Sequence, residues 1–133
     1  MISLKDAVNF HGHLGPYLIL GLLAGDLGLK KTGAKKYFGV EVKVYGANIK
    51  PKSCLIDGLQ LSTGATYGKG NIKKYASDRI KISMRNPENK KVVTLGLTGS
   101  LLRELNSLKG HSASEKFARE LLKLNKQKIF TLK

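Results

Sequence analysis

Two short stretches of this chain carry more chemistry than packing requires. The first is His11-Gly12-His13-Leu14-Gly15-Pro16. Two imidazoles two residues apart lie on one side of an extended segment, where they can share a metal ion. The plainer alternative has one histidine bonded to backbone at a helix end and the other in solvent. The second stretch is Ser53-Cys54-Leu55-Ile56-Asp57-Gly58, continuing through Gln60 to Thr63-Gly64-Ala65-Thr66-Tyr67-Gly68-Lys69-Gly70-Asn71. Cys54 and Asp57 are three apart, hence on one face of a helix. A cysteine at a helix N-terminus feels the macrodipole and the free N–H groups. Both favour thiolate, the form that ligates zinc or attacks an electrophile. A lone cysteine in an apolar run is equally an inert small hydrophobe. The glycines around Lys69 can present N–H groups to an anion, although turn geometry explains them as well. The run GKGN lacks the spacing and the Ser/Thr of a P-loop.

The elements that must position these residues alternate between helix and strand. Ser3 to Asn9 reads as a short helix capped by Ser3, with Leu4, Ala7 and Val8 on one face. Pro16 suits the first turn of the next helix, and Tyr17 to Gly25 is apolar all round, which predicts a buried helix. Phe38 to Val44 alternates as a half-buried strand. Ser53 is placed to cap a helix carrying Cys54, Asp57, Leu59 and Leu61. Ile80, Ile82 and Met84 alternate with charged or polar neighbours, and Asn86-Pro87-Glu88-Asn89 supplies turn chemistry before Val92 to Leu97. That pattern predicts a hairpin. Leu101 to Leu108 and Ser112 to Leu124 read as helices, the second opening on a Ser112–Glu115 capping box. Lys128 to Leu132 reads as a short closing strand. The expected architecture is a single α+β domain over residues 1–133, with a mixed sheet of three or four strands and helices on its faces.

Composition bounds the function. The chain has 133 residues, one cysteine, no tryptophan and a formal charge of +15. One domain of ordinary size follows. A single cysteine excludes a disulfide framework and a four-thiolate zinc finger. The N-terminal residues do not read as a signal peptide, and the most apolar window, Leu14 to Leu29, is broken by Asp26 and glycines. A cytoplasmic protein without a membrane partner is expected. The charge is uneven: residues 1–66 carry +4 and residues 67–133 carry +11. Of 24 basic residues 20 are lysine, dispersed as pairs such as Lys30-Lys31 and Lys73-Lys74. That dispersion, and the scarcity of arginine, favour a solvated surface over a nucleic-acid reader.

The two stretches, taken together, resemble one family. HGHLGPYLILGLLAG followed about 40 residues later by C-x-x-D-G-x-Q-x-x-T-G-x-T-x-G-K-G-N is similar to the E-subunit family of formylmethanofuran dehydrogenase. Phe10-His11-Gly12-His13 and Pro16 match the first family motif, and Cys54 through Asn71 the second, over roughly the first 100 residues. The chain departs from the pattern at Gly15 and Ala65, where members commonly carry cysteine, and no cysteine-rich module follows Cys54. It resembles a minimal, cysteine-poor member of that family.

The resemblance implies an α+β core that forms homodimers, with a cleft lined by His and Cys side chains. It also implies an association with the other components of a dehydrogenase complex whose catalytic centres lie elsewhere. On this reading His11, His13 and Cys54 would hold Zn²⁺, and Asp57 would support them or serve as a weak fourth ligand. Thr63, Lys69 and Asn71 would line a subsite for a small anion. Two other classes are expected to give different signatures. A basic module binding nucleic acid or an anionic partner would use the lysine-rich C-terminal half and weaken steeply with salt. A metal-free enzyme would use Cys54 as nucleophile and His13 as base, and would need a cysteine of depressed pKa.

Overall fold

A computed structural model describes residues 2–133. The chain begins with α1 (Leu4–His11), capped as expected by Ser3, whose hydroxyl accepts from the Asp6 N–H at 3.1 Å. Gly12 ends it in the left-handed conformation, φ 108°. After a short connection, Pro16 opens α2 (Pro16–Thr32), where its missing N–H is no loss. The all-round apolar pattern has the predicted consequence: Leu18, Ile19, Leu20 and Leu22 are fully buried. α2 is the central helix, packed between the sheet and two other helices, α3 (Cys54–Thr63) and α5 (Gly110–Leu121).

The sheet has five strands rather than three or four, in the order β2-β1-β3-β4-β5. β1 (Glu41–Tyr45) pairs in parallel with β2 (Ile72–Tyr75) and antiparallel with β3 (Lys81–Arg85). β3 and β4 (Val92–Leu97) form the expected hairpin, and β5 (Phe130–Leu132) closes the far edge. The mixed pairing and the helices packed on the sheet make this an α+β fold. Val42, Val44, Ile82, Met84 and Leu95 face the helices and are buried.

The missing strand is β2. Its sequence, Ile-Lys-Lys-Tyr, buries Ile72 alone, so it has no apolar alternation to detect. Exposed lysines are what an edge strand needs to discourage further pairing. β1 starts at Glu41 rather than Phe38: Phe38 is 79% exposed, and Gly39 pairs back to Lys35 in an isolated bridge. The predicted capping box does not form. Lys109 precedes α5 and Ser112 lies within the helix, leaving Phe117 and Leu121 to hold it against the core. α4 (Gly99–Ser107) is capped by the Thr98 hydroxyl instead of beginning at Leu101. The closing segment is first a helical turn, α6 (Lys126–Ile129), and only then β5.

Two anchors fix α2. Asn86 and Asn89, in the β3–β4 turn, each donate a side-chain N–H to the Thr32 carbonyl at 3.0 Å, satisfying a C-terminal acceptor of the helix. At the crossing of α2 and α3 the backbones touch. A Cβ at Gly21 would lie 2.8 Å from the Gly58 Cα, and a Cβ at Gly58 the same distance from the Gly21 Cα. The Ser62 hydroxyl sits in the same seam, 3.1 Å from the Gly21 carbonyl and 2.9 Å from the Gly58 carbonyl, so its one hydrogen is shared between the helices. This close approach sets the distance between the N-terminal ends of α2 and α3, which bear the candidate site. Among the described residues, no helix is long and apolar enough to cross a membrane.

Candidate metal centre

His11 is the last residue of α1, and the left-handed turn at Gly12 reverses the chain so that His13 returns beside it. The pair is therefore not an extended strand with two rings on one side. It is a helix end folded back on itself. The rings tilt 45° to each other with centroids 4.6 Å apart, and their Nε2 atoms are 3.2 Å apart. Cys54 is the first residue of α3, brought alongside by the packing of α1 and α2 on that helix. One ligating atom from each of His11, His13 and Cys54 lies within 4.8 Å of the others.

Asp57, one turn along α3, completes the arrangement. The His11 Nδ1 donates to Asp57 Oδ2 at 2.6 Å, and the His11 side chain is only 8% exposed. An ionised carboxylate only accepts, so it fixes the proton on Nδ1 and leaves the Nε2 lone pair of His11 facing His13. Carboxylate-oriented histidine of this kind is the usual support for a metal-binding imidazole. The sequence placed Asp57 on the cysteine face of its helix. The structure adds that its partner is His11.

The donor set fits zinc. Two nitrogens about 2.05 Å from a tetrahedral zinc stand about 3.3 Å from each other, and a thiolate sulfur stands about 3.6 Å from either. The observed Nε2 separation is 3.2 Å, while the three donor atoms together span up to 4.8 Å, so the sulfur has to approach the imidazoles by about 1 Å to complete a tetrahedral set. Two imidazoles and one sulfur are ligands of matching softness. Position 15 borders the same group, since a Cβ there would lie 3.0 Å from Cε1 of the His13 ring.

The expectation that the helix terminus favours thiolate is not met. Burial pushes the Cys54 thiol up, and the Asp57 carboxylate adds to this, outweighing Lys50 and a backbone hydrogen bond. The helix entry explains why the dipole is weak here. Ser53 already has helical φ/ψ and its hydroxyl makes no cap. The N–H groups of Cys54, Leu55 and Ile56 are taken by the carbonyls of Pro51, Lys52 and Ser53 at 3.0–3.1 Å. With no metal bound, iodoacetamide at neutral pH is expected to alkylate Cys54 more slowly than a free thiol, and zinc is expected to protect it further. Fast alkylation with a low apparent pKa would instead support the nucleophile reading.

Thr63, Lys69 and Asn71 lie towards the other end of α3, Thr63 being roughly 14 Å along the helix from Cys54. The Thr63 hydroxyl donates to the Leu59 carbonyl at 2.6 Å and accepts from the Ala65 N–H. Asn71 donates to the carbonyls of Tyr37 and Val40 and accepts from the Thr66 N–H, tying the loop to the chain ahead of β1. Lys69 Nζ donates to the Thr66 hydroxyl at 3.1 Å and lies 5.6 Å from the Phe38 ring centroid. These three side chains are thus engaged locally and are not brought to the His–Cys group.

Residues that position the centre without touching it were missed from the sequence. Gly21, Gly25, Gly58 and Ser62 form the helix crossing, and the small-residue spacing of four in each helix was the available signal.

The fold agrees with what the chain is similar to. Over 70 residues it is 31% identical to a "Probable S-adenosyl-L-methionine-binding protein" of Archaeoglobus fulgidus, a match covering 52% of this chain and 19% of that protein. The chain therefore spans about a fifth of that relative's length. Among solved structures, a tungsten formylmethanofuran dehydrogenase E-subunit (FmdE)-like protein from Syntrophus aciditrophicus superposes with a TM-score of 0.68. It shares 20% identity, over 97% of this chain and 67% of that one, which is a likeness of fold. The family profile described as "FmdE, Molybdenum formylmethanofuran dehydrogenase operon" matches residues 10–131, from the first motif through the last strand rather than the first 100 residues alone. The chain belongs to the FmdE family.

Proposed function

We propose that this chain binds one divalent metal, zinc in the first instance, through His11, His13 and Cys54, and serves as an accessory rather than a redox-catalytic protein. The observation that carries the reading is the convergence of three ligating atoms, from α1, its following loop and α3, within 4.8 Å. The hydrogen bond from His11 to Asp57 supports it, because that bond presets the tautomer a ligand needs.

Each residue has a distinct task. Asp57 holds the His11 ring in place and selects the tautomer whose Nε2 can ligate. His13 is exposed, on a loop at the site mouth, so it can adjust as a ligand enters. Cys54 supplies the anionic sulfur, and its proton leaves when metal binds. Three protein ligands leave a four-coordinate zinc one position for a small oxygen ligand, which its Lewis acidity would polarise. The accessory role is what membership of this family suggests, and the single cysteine, which cannot provide the thiolates of a Cys₄ iron–sulfur cluster, is compatible with it.

Asp57→Asn tests the arrangement without removing a ligand. Zinc affinity measured by competition with a chelator is expected to fall about 10- to 100-fold. The thermal midpoint of the metal-free protein should change little, since Asp57 is partly exposed. Unchanged affinity in this variant would remove Asp57 from the site.

A further inference from the structure

The face of the sheet turned away from the helices has a pattern that the metal centre does not use. Strand alternation puts Lys43, Tyr45, Lys73, Tyr75, Lys81 and Arg85 on that face, opposite the buried Val42, Val44, Ile72, Ile82 and Met84. Glu41 is the one acid among these strands on that face, and it is occupied by Arg85 at 3.0 Å. Lys43 and Lys73 are direct cross-strand partners. Like charges so placed destabilise a sheet unless an anion lies over them.

Beside the lysines is an aromatic platform. Tyr45 and Tyr75 are also cross-strand partners, with ring centroids 5.1 Å apart and planes 22° from parallel. β2 is the edge strand, so the face of Tyr75 turned from Tyr45 opens beyond the sheet. On the other side, Lys81 Nζ lies 5.3 Å from the Tyr45 ring centroid. Further across, a groove of about 510 Å³ runs over Gly96, floored there by the Thr131 hydroxyl. It carries four cations, Lys52, Arg79, Lys81 and Lys133, against one acid, Asp78.

We propose that this open face docks a single-stranded nucleic acid, with phosphates over Lys43, Lys73 and the Lys81 groove and a base stacked on Tyr75. A second copy of the chain would bring the same cations against themselves. An acidic protein would satisfy the lysines but would leave the paired tyrosines without a role. Single strands use both features, because every base has a π-face and every linkage a charge. The dispersed lysines of the sequence, read there as a solvated surface, acquire a focus that only the register of β1 and β2 reveals.

The experiment is fluorescence anisotropy with labelled 20-nucleotide mixed-sequence RNA and DNA single strands. Four or five phosphate contacts predict a log–log salt slope of about −3. Tyr75→Ala should weaken binding roughly five- to 150-fold at fixed salt, whereas Tyr75→Phe should retain it. Lys43→Glu with Lys73→Glu should abolish binding. Lys30→Glu with Lys31→Glu, the same charge change on α2, should have a small effect. Circular dichroism identifies any variant that fails to fold, and Tyr75→Phe then carries the comparison. No binding at about 50 mM salt would overturn the proposal. So would equal losses from the two double-charge variants. Indifference to Tyr75→Ala, with equal binding of heparin or anionic vesicles, would mark a general polyanion surface instead. Sedimentation showing a dimer that buries Lys43 and Lys73 would also overturn it.

Discussion

Replacing Gly21 with alanine is expected to lower the thermal midpoint by about 10 °C or more, the equivalent of roughly 3 kcal/mol or more for a domain of this size. The added methyl would meet the Leu55 carbonyl oxygen, the Gly58 Cα and the Leu59 nitrogen, all of them backbone. No rotamer change relieves such a contact, so α2 and α3 must move apart. Gly58→Ala should behave alike, since its methyl would meet the Leu18 carbonyl and the Gly21 Cα. The two changes widen one seam, so the double variant should lose less than the sum of the singles. Gly68→Ala is the control. That glycine is exposed, its nearest neighbour would be 3.8 Å from the new carbon, and its φ is not positive. Scanning calorimetry of the metal-free proteins makes the comparison. A midpoint for Gly21→Ala within a degree of the parent would mean the helices are not packed this closely.

The second large effect concerns ligand loss. A ligand present at a thousand times its dissociation constant stabilises a protein by about 4 kcal/mol, so zinc at that excess should raise the parent's midpoint by about 14 °C. His11→Ala and Cys54→Ala should each lose most of that shift. Two remaining donors hold zinc far less well than three, and His11→Ala also leaves Asp57 without its partner. The same reasoning links the seam to the site. Gly21→Ala, where it folds, should bind zinc more weakly because it moves the start of α3, with Cys54, away from the loop that carries His13 into α2. Calorimetry with and without zinc decides both points. An equal zinc shift in parent and ligand variants would place the metal elsewhere.

The helices and hairpin were legible because their signals are local. Ser3 caps α1, Pro16 opens α2, and the Asn-Pro-Glu-Asn turn joins β3 to β4, each by chemistry contained within a few residues. What failed was also local in appearance but decided by distant partners. Ile72-Lys-Lys-Tyr becomes a strand because β1 lies beside it, not because its own pattern alternates. Phe38 looked like the start of a strand, yet Gly39 turns back to Lys35 and leaves the ring in solvent. Ser112 and Glu115 had capping-box spacing, but α5 begins two residues earlier at Gly110.

The site was half legible. Residue type and family resemblance drew attention to His11, His13, Cys54 and Asp57, and the structure gathers all four. The same reasoning joined Thr63, Lys69 and Asn71 to them, whereas the length of α3 holds Thr63 and the loop behind it at a distance. Spacing in sequence could not supply that distance, because it depends on which end of the helix faces α1. The effect of the helix terminus on Cys54 was likewise invisible. It depends on the carbonyls of Pro51, Lys52 and Ser53 occupying the N–H groups a thiolate would have used.

The most direct test of the metal centre is a cobalt titration of the chelator-stripped protein, followed by absorption. Cobalt(II) reports both stoichiometry and thiolate ligation. Three ligands from His11, His13 and Cys54 predict saturation at one equivalent per chain, a sulfur-to-metal charge-transfer band, and displacement of that band by zinc. Cys54→Ser should lack the band. A parent protein that binds less than one equivalent, or one whose spectrum matches that of Cys54→Ser, would contradict the assignment.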